Sequence, residues 1–192
     1  TGTTTYTVTG ITSEGCSGTA TVSVTVNPLP SVSASASPAA ICNGASSVLT
    51  ASGANTYNWS HSLGSGSSKT VSPTGTTTYT VTGITSEGCS GTATVSVTVN
   101  PLPSVSATAS STEICLNGSS ILTASSDITG TTYSWNSPLG AGSSKTVTPT
   151  STSSYTVTGM TTAGCTGTAT VSVTVNPLPT VTATASPAAI CN

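Results

Sequence analysis

Charge is the scarcest property of this sequence. Asp, Glu, Lys and Arg make up 3% of its 192 residues, where an average soluble domain carries about 25%. Two basic residues cannot neutralise a phosphate backbone or hold an anionic lipid surface, so nucleic-acid and polybasic membrane partners are excluded. No run reaches the roughly 18 unbroken apolar residues of a membrane helix, and no basic segment followed by an apolar one opens the chain, so no membrane insertion is expected within it. Phenylalanine is absent, which leaves two Trp and five Tyr as the large side chains around which a core can form.

What is present is Ser, Thr, Gly and Ala, threaded by Val at every second position. Disordered chains carry high net charge and few β-branched residues; this one does the reverse, and alternation at period two marks a half-buried strand. The segment "GCSGTATVSVTVNPLPSVSA" at 15–34 returns letter for letter at 88–107 and, lightly edited, at 164–183. The cysteines Cys16, Cys89 and Cys165 give spacings of 73 and 76 residues (89 − 16 and 165 − 89), the difference being a local insertion where "SGANTYNW" becomes "SSDITGTTYSW". Insertions of that kind belong in loops. One structural unit is being copied. The expected division is the end of one copy at 1–30, complete copies at 31–103 and 104–179, and the start of another at 180–192. Thr1 matches Thr74 and Asn192 matches Asn43, as in a piece of a longer array.

Within the complete copy, strands are expected over 31–37, 47–52, 56–61, 67–72, 78–84 and 92–99, with no helix. In the last of these Ala93, Val95, Val97 and Val99 face the core, while Thr92, Thr94, Ser96 and Thr98 face water. "SEGCSG" makes the last two strands a hairpin, with Gly88 and Gly91 supplying turn conformations. Pro38, Gly44, Gly53, Gly64, Gly66, Pro73 and Gly75 interrupt the other runs. Tyr57, Trp59 and Tyr79 are the candidate core, with Val48 or Leu49, Ala51 and Val81 as partners; Trp135 and Tyr155 repeat the pattern. An aliphatic strand, then a strand bearing Trp, then "TTTYTV" follows the order of an immunoglobulin-like core. The fold class read from these residues is all-β, as tandem immunoglobulin-like β-sandwich repeats.

The run "ICNGASSVLTASGANTYNWS" followed by "TTTYTVTGITSEGCSGTATVSVTVNPLP" resembles the tandem immunoglobulin-like repeats of large secreted and cell-surface proteins of Bacteroidota, gliding and adhesin-type proteins among them. The resemblance covers essentially the whole chain. It implies an extracellular or cell-surface location and a stalk-like or filament-forming role, and it supplies no ligand.

The six cysteines fall into two periodic classes: Cys16, Cys89 and Cys165 at hairpin tips, and Cys42, Cys115 and Cys191 just before the second strand. Without C-x-x-C or clustered His and Asp, disulfides in an oxidising compartment are favoured over metal binding. Three connectivities stand open. Within a copy, Cys42 would join Cys89; at the 26-residue spacing, all six would pair if "NPLP" made a hairpin turn. A disulfide needs Cα atoms within about 7 Å, and in an immunoglobulin-like topology the first corner and the last tip lie at opposite ends. The favoured pairing is therefore a staple across the junction between copies, Cys42 to Cys165, with the other cysteines bonding to copies beyond or to neighbouring chains. The two prolines of "NPLP" make a short stiff spacer rather than a hinge.

Candidates for chemistry are few. His61 is replaced by Ser137 in the neighbouring copy, which marks a surface histidine. No carboxylate pair recurs for acid and base work, no oxygen cluster suits calcium, and nothing activates the abundant serines. No catalytic residue, metal or cofactor is expected, and the protein is read as not an enzyme. Lys69 and Lys145 read as strand lysines guarding an edge, with an isopeptide crosslink as the alternative. Asn58-Trp-Ser60 and Asn117-Gly-Ser119 match the glycosylation sequon. An almost uncharged surface offers little repulsion against side-by-side or end-to-end self-association. The function expected is a structural repeat module of an extracellular filament or long cell-surface stalk, stiffened by disulfides and Pro linkers. The alternative is an adhesin segment binding a glycan or a surface receptor.

Overall fold

The computed structural model describes residues 2–184 and 186, and all regular elements among them are strands. The chain divides into two compact units, Thr1–Asn100 and Pro101–Asn192. The first opens with a two-stranded hairpin, β1 (Gly2–Ile11) and β2 (Ser17–Val26). A complete copy follows: β3 (Ser33–Ser37), β4 (Ala40–Cys42), β5 (Ser47–Ser52), β6 (Thr56–Trp59), β7 (Gly64–Ser65), β8 (Ser68–Val71), β9 (Thr77–Ile84) and β10 (Ser90–Asn100). The second unit repeats the series as β11 (Val105–Ala109), β12 (Glu113–Cys115), β13 (Ser120–Ser126), β14 (Thr132–Trp135), β15 (Gly140–Ala141), β16 (Ser144–Val147), β17 (Ser153–Met160) and β18 (Thr166–Asn176). The further copy expected from residue 180 falls largely outside the described residues, as does Cys191.

In each complete copy a three-stranded sheet, β3-β5-β8 or β11-β13-β16, faces a five-stranded sheet, β4-β10-β9-β6-β7 or β12-β18-β17-β14-β15. Every pairing is antiparallel except that of the short first-corner strand, which runs parallel to the end of the last: Thr98 opposite Ala40, Val99 opposite Ile41, Asn100 opposite Cys42. This is the immunoglobulin-like sandwich, with the Trp on β6 or β14, next to the central strand of the five-stranded sheet, packed against the other sheet.

Two strands are absent from the sequence reading. Ala40–Cys42 and Gly64–Ser65 are too short to show a period, and each exists only because a longer strand offers it an edge. The first strand in fact leaves one sheet for the other between residues 37 and 40. A buried serine pins that crossover: Ser47 Oγ donates to the Pro38 carbonyl at 2.7 Å, and in the next copy Ser120 Oγ donates to the Ser111 carbonyl at 2.8 Å. Both serines are 1% exposed, so these bonds meet the hydrogen-bonding requirement of a buried hydroxyl.

Alternation places the core. Along β5 Leu49 and Ala51 point inward while Val48 is exposed, which decides between Val48 and Leu49. Leu49, Ala51 and Val71 from one sheet meet Ile41, Tyr57, Trp59, Tyr79, Val81 and Val97 from the other. The second copy builds the same cluster from Leu122, Ala124, Val147, Ile114, Trp135, Val157 and Val173. Inward Val97 and outward Thr94 and Ser96 on β10 follow the expected alternation. Gly91 does not serve a turn. Only Gly88 has a positive φ, +84°; Gly91 lies in β10, where a Cβ would come within 2.6 Å of the Pro30 carbonyl. It is glycine because the linker packs against it.

Candidate functional site

The features that bear on function lie at the two ends of the long final strands. Each tip cysteine sits in the same tight turn. Thr85 donates its backbone N–H to the Cys89 carbonyl at 2.9 Å, and the Cys89 N–H is received by the Thr85 hydroxyl at 3.2 Å. Thr12 with Cys16 and Thr161 with Cys165 repeat this geometry. Each corner cysteine instead lies in register with the last residue of its own copy's final strand: Cys42 opposite Asn100 and Cys115 opposite Asn176. That register is closed by Asn43 donating to the Asn100 carbonyl at 2.9 Å and Leu116 donating to the Asn176 carbonyl at 3.0 Å. Tip and corner of one copy are thus separated by the whole of β10. Its 11 residues at about 3.3 Å each span roughly 35 Å, far beyond disulfide reach.

A second relation ties each tip to the linker before it. Cys89 Sγ lies 3.9 Å from the Asn27 carbonyl, and Asn27 is the counterpart, one copy earlier, of Asn100. Pro30 against Gly91 and Pro103 against Gly167 hold the linker to the hairpin that follows it. The recurring Asn before "PLP" is the residue the sequence reading overlooked, although its place at every copy's end was the available signal.

The cysteines differ in state. Cys42 and Cys165 are disulfide-bonded, whereas Cys16, Cys89 and Cys115 carry free thiols. Burial of the tip side chain rises through the three copies: Cys16 is exposed, Cys89 half-buried and Cys165 only 1% exposed.

The candidate core aromatics occupy equivalent places with one difference. Trp59 Nε1 donates to the Gly66 carbonyl at 2.9 Å and Trp135 Nε1 to the Gly142 carbonyl at 3.0 Å, which satisfies each buried indole. Tyr79 is buried but Tyr155 only half-buried. The His61 ring stacks edge-on against Tyr79 at 5.1 Å, and Ser137 at the equivalent place is too small to cover Tyr155. His61 is a surface lid over a tyrosine.

Elsewhere the surface is built for quiet contact with water. Lys69 and Lys145 lie on β8 and β16, each the outer strand of its three-stranded sheet, where a charge discourages edge pairing. Hydroxyls of the outer faces bond across strands to one another: Thr5 with Ser23 at 2.9 Å, Thr78 with Ser96, and Ser154 with Ser172 at 2.7 Å, one pair in each of three copies. Asn58 and Asn117 of the two sequons are exposed. Glu14 and Glu87 have carboxyls held below the usual carboxylate range, chiefly by the Ser13 and Ser86 hydroxyls that donate to them at 2.6 Å. Open grooves of about 300 and 450 Å³ recur beside Tyr57 and Tyr133. No group of three potential metal ligands occurs among the described residues.

No protein-family model and no curated protein matches the sequence. Solved structures do align with it. Murine CEACAM1b does so at 14% identity and a TM-score of 0.37, over 77% of this chain and all of that one. A Ca2+-stabilized adhesin of an Antarctic bacterium that binds ice aligns at 16% identity and a TM-score of 0.43, over 93% of this chain and 58% of that one. A 1.5-MDa bacterial ice-binding adhesin aligns at 17% identity and a TM-score of 0.41, over 92% of this chain and 75% of that one. Calcium and ice belong to those proteins.

Proposed function

We propose that this chain is a structural module of a long extracellular or cell-surface assembly, a filament or stalk of the kind found in Bacteroidota. Copies at 31–103 and 104–179 are held in line by a disulfide from Cys42 to Cys165 and by the "NPLP" linker. The single observation behind this is the placement of thiols around the terminal Asn. Cys42 stands in register with Asn100, and Cys89 Sγ approaches Asn27, the counterpart of Asn100. By the equivalence of copies, Cys165 belongs beside Asn100 and hence beside Cys42. The disulfide-bonded state of these two residues supports the same reading. A linker packed against the next hairpin, plus a covalent clamp at its start, resists bending, so repetition adds length at constant stiffness.

The scarcity of basic residues makes the test simple. Trypsin has only Lys69 and Lys145 to cut after, giving peptides 1–69, 70–145 and 146–192. A Cys42–Cys165 bond joins the first to the third without reduction. A Cys42–Cys89 bond joins the first to the second, and pairing at the 26-residue spacing joins none of them. Electron microscopy reads the mechanical role: rigid fibres or rods with an axial rise of about 35–45 Å per copy support it, and freely jointed beads oppose it.

The adhesin reading has one observation in its favour, the groove that recurs beside Tyr57 and Tyr133 in both copies. A glycan array probed with the two-copy chain separates the readings, since a pure spacer binds nothing.

A further inference from the structure

Both basic residues of the chain stand at the same place, the groove that recurs beside Tyr57 and Tyr133. In the first copy the groove runs along Thr56, Tyr57, Ser65, Gly66 and Ser67, and in the second along Thr132, Tyr133, Ala141, Gly142 and Ser143. Lys69 lies over Gly66: a Cβ on that glycine would stand 3.7 Å from Lys69 Cε and 3.9 Å from Nζ, and at Gly142 the distances to Lys145 are 3.6 and 3.7 Å. Each lysine is half-buried, and neither ammonium has a hydrogen bond or ion pair among the described residues. Guarding a strand edge asks only that a charge extend into water. A lysine folded back over its own groove gives up side-chain freedom and leaves its charge open to a ligand.

The groove floor is fixed. Gly66 and Gly142 share a φ of +129°, and their carbonyls accept the buried indole N–H of Trp59 at 2.9 Å and of Trp135 at 3.0 Å. The hydroxyls of the outer sheet faces bond to one another, whereas those of Thr56, Ser65, Ser67 and Ser143 have no partner among the described residues. The Tyr57 hydroxyl is used inward, accepting from the Ala54 N–H at 2.8 Å and donating to the Ala54 carbonyl at 2.7 Å, so this tyrosine offers only the rim of its ring. Carboxylates in the adjoining loops are engaged as well: Glu87 accepts from the Ser86 hydroxyl at 2.6 Å and Asp127 from the Ser104 N–H at 2.8 Å.

We propose that each groove binds an acidic polysaccharide. The anionic group of one sugar, a carboxylate or a sulfate, sits on the lysine ammonium, sugar hydroxyls meet the free Ser and Thr hydroxyls, and sugar C–H groups lie against the Tyr rim. Volumes of about 300 and 450 Å³ fall at the small end of ligand sites, and an open groove lets a polymer run through it. A peptide partner is held chiefly by buried aromatic or aliphatic anchors, and no large aliphatic side chain lines either groove. The net charge of −2 repels polyanions at large, so the attraction is local: one point charge per copy, weak at each site and multiplied by repetition. Nucleic acids and anionic lipid surfaces, which are held by many cations together, stay excluded. The inference rests on the adhesin reading and names its ligand.

The test immobilises the purified 192-residue chain and offers it polygalacturonate, dextran sulfate, neutral dextran and polyglutamate. The expected result is binding of an acidic polysaccharide, the carboxylate and sulfate arms identifying the group that is read, with dextran and polyglutamate much weaker. Lys69→Gln combined with Lys145→Gln lowers that binding about tenfold or more, as for loss of a hydrogen bond to a charged group, and leaves the melting curve unchanged. Lys69→Arg with Lys145→Arg retains it. Adding Thr94→Lys and Thr170→Lys to the double Gln variant restores the net charge at exposed positions of the final strands and does not restore binding. Dextran or polyglutamate bound as tightly, binding indifferent to the Gln variants, or recovery through the relocated lysines overturns the proposal. If neither acidic polymer binds but a neutral glycan on the array does, the adhesin reading stands and this assignment alone is lost; if no glycan binds, both are lost and the spacer role remains.

Discussion

Replacing Trp59 by Ala tests whether each copy closes around its own indole. Trp59 is 3% exposed in a cluster that shares no residue with the one around Trp135. A large-to-small change of this kind costs about 3–5 kcal/mol, the transfer term plus the cavity. A copy of some 70 residues has a total stability of roughly 4–10 kcal/mol, so the substitution removes between about a third of it and all of it. At about 4–8 °C per kcal/mol for a domain of this size, the melting point of residues 31–103 falls by roughly 12–40 °C. The assay uses the fact that the chain has two tryptophans. In Trp59→Ala, fluorescence reports Trp135 alone and therefore the second copy, while far-ultraviolet circular dichroism reports both. The expected outcome is a split transition: an early loss of β signal, followed by a fluorescence change at the wild-type midpoint. A circular dichroism melt that stays single and unshifted would refute a core organised by the indole. A Trp135 transition that drops with the first would refute separate cores. Trp59→Phe, which keeps most of the ring but loses the bond to the Gly66 carbonyl, costs about 1 kcal/mol beyond the change in volume.

Gly167→Ala forces a Cβ to within 2.2 Å of the Pro103 carbonyl, a backbone clash that costs about 1–3 kcal/mol, while the equivalent Gly18→Ala meets nothing within 4 Å and leaves the melting curve unchanged. His61→Ser uncovers Tyr79, and quenching or iodination of that tyrosine rises to the level of Tyr155 with little change in stability. The folded pKa of Glu87 lies below its unfolded value, so its contribution is complete above the ordinary carboxylate pKa and is lost as the pH falls through the lowered value. Glu87→Gln therefore removes that small contribution at neutral pH, leaves stability unchanged at pH values below the lowered pKa and so flattens the acid side of the stability–pH curve, which denaturation at a series of pH values checks.

Hydroxyls that bond across strands, as Ser154 and Ser172 do, have one partner already and present less to a ligand than a free array does. The same pairs supply cross-strand stabilisation where charged pairs are missing.

Period-two Val, the placement of Trp59 and Trp135, the "NPLP" spacers and the 73-residue recurrence are local properties of the chain, and they sufficed for the all-β class, the longer strands and the indole cores. Such features are legible because alternation and turn chemistry act over a few residues. The corner strand Ala40–Cys42, the choice of Leu49 over Val48, the glycine at 91 and the shielding of Tyr79 by His61 are not written locally. Each depends on a partner distant in the sequence: Asn100 lies 58 residues from Cys42 (100 − 42), and Pro30 lies 61 from Gly91 (91 − 30). Only folding brings them into register, because a three-residue strand has no pattern of its own and a close approach has no sequence signature except the missing side chain.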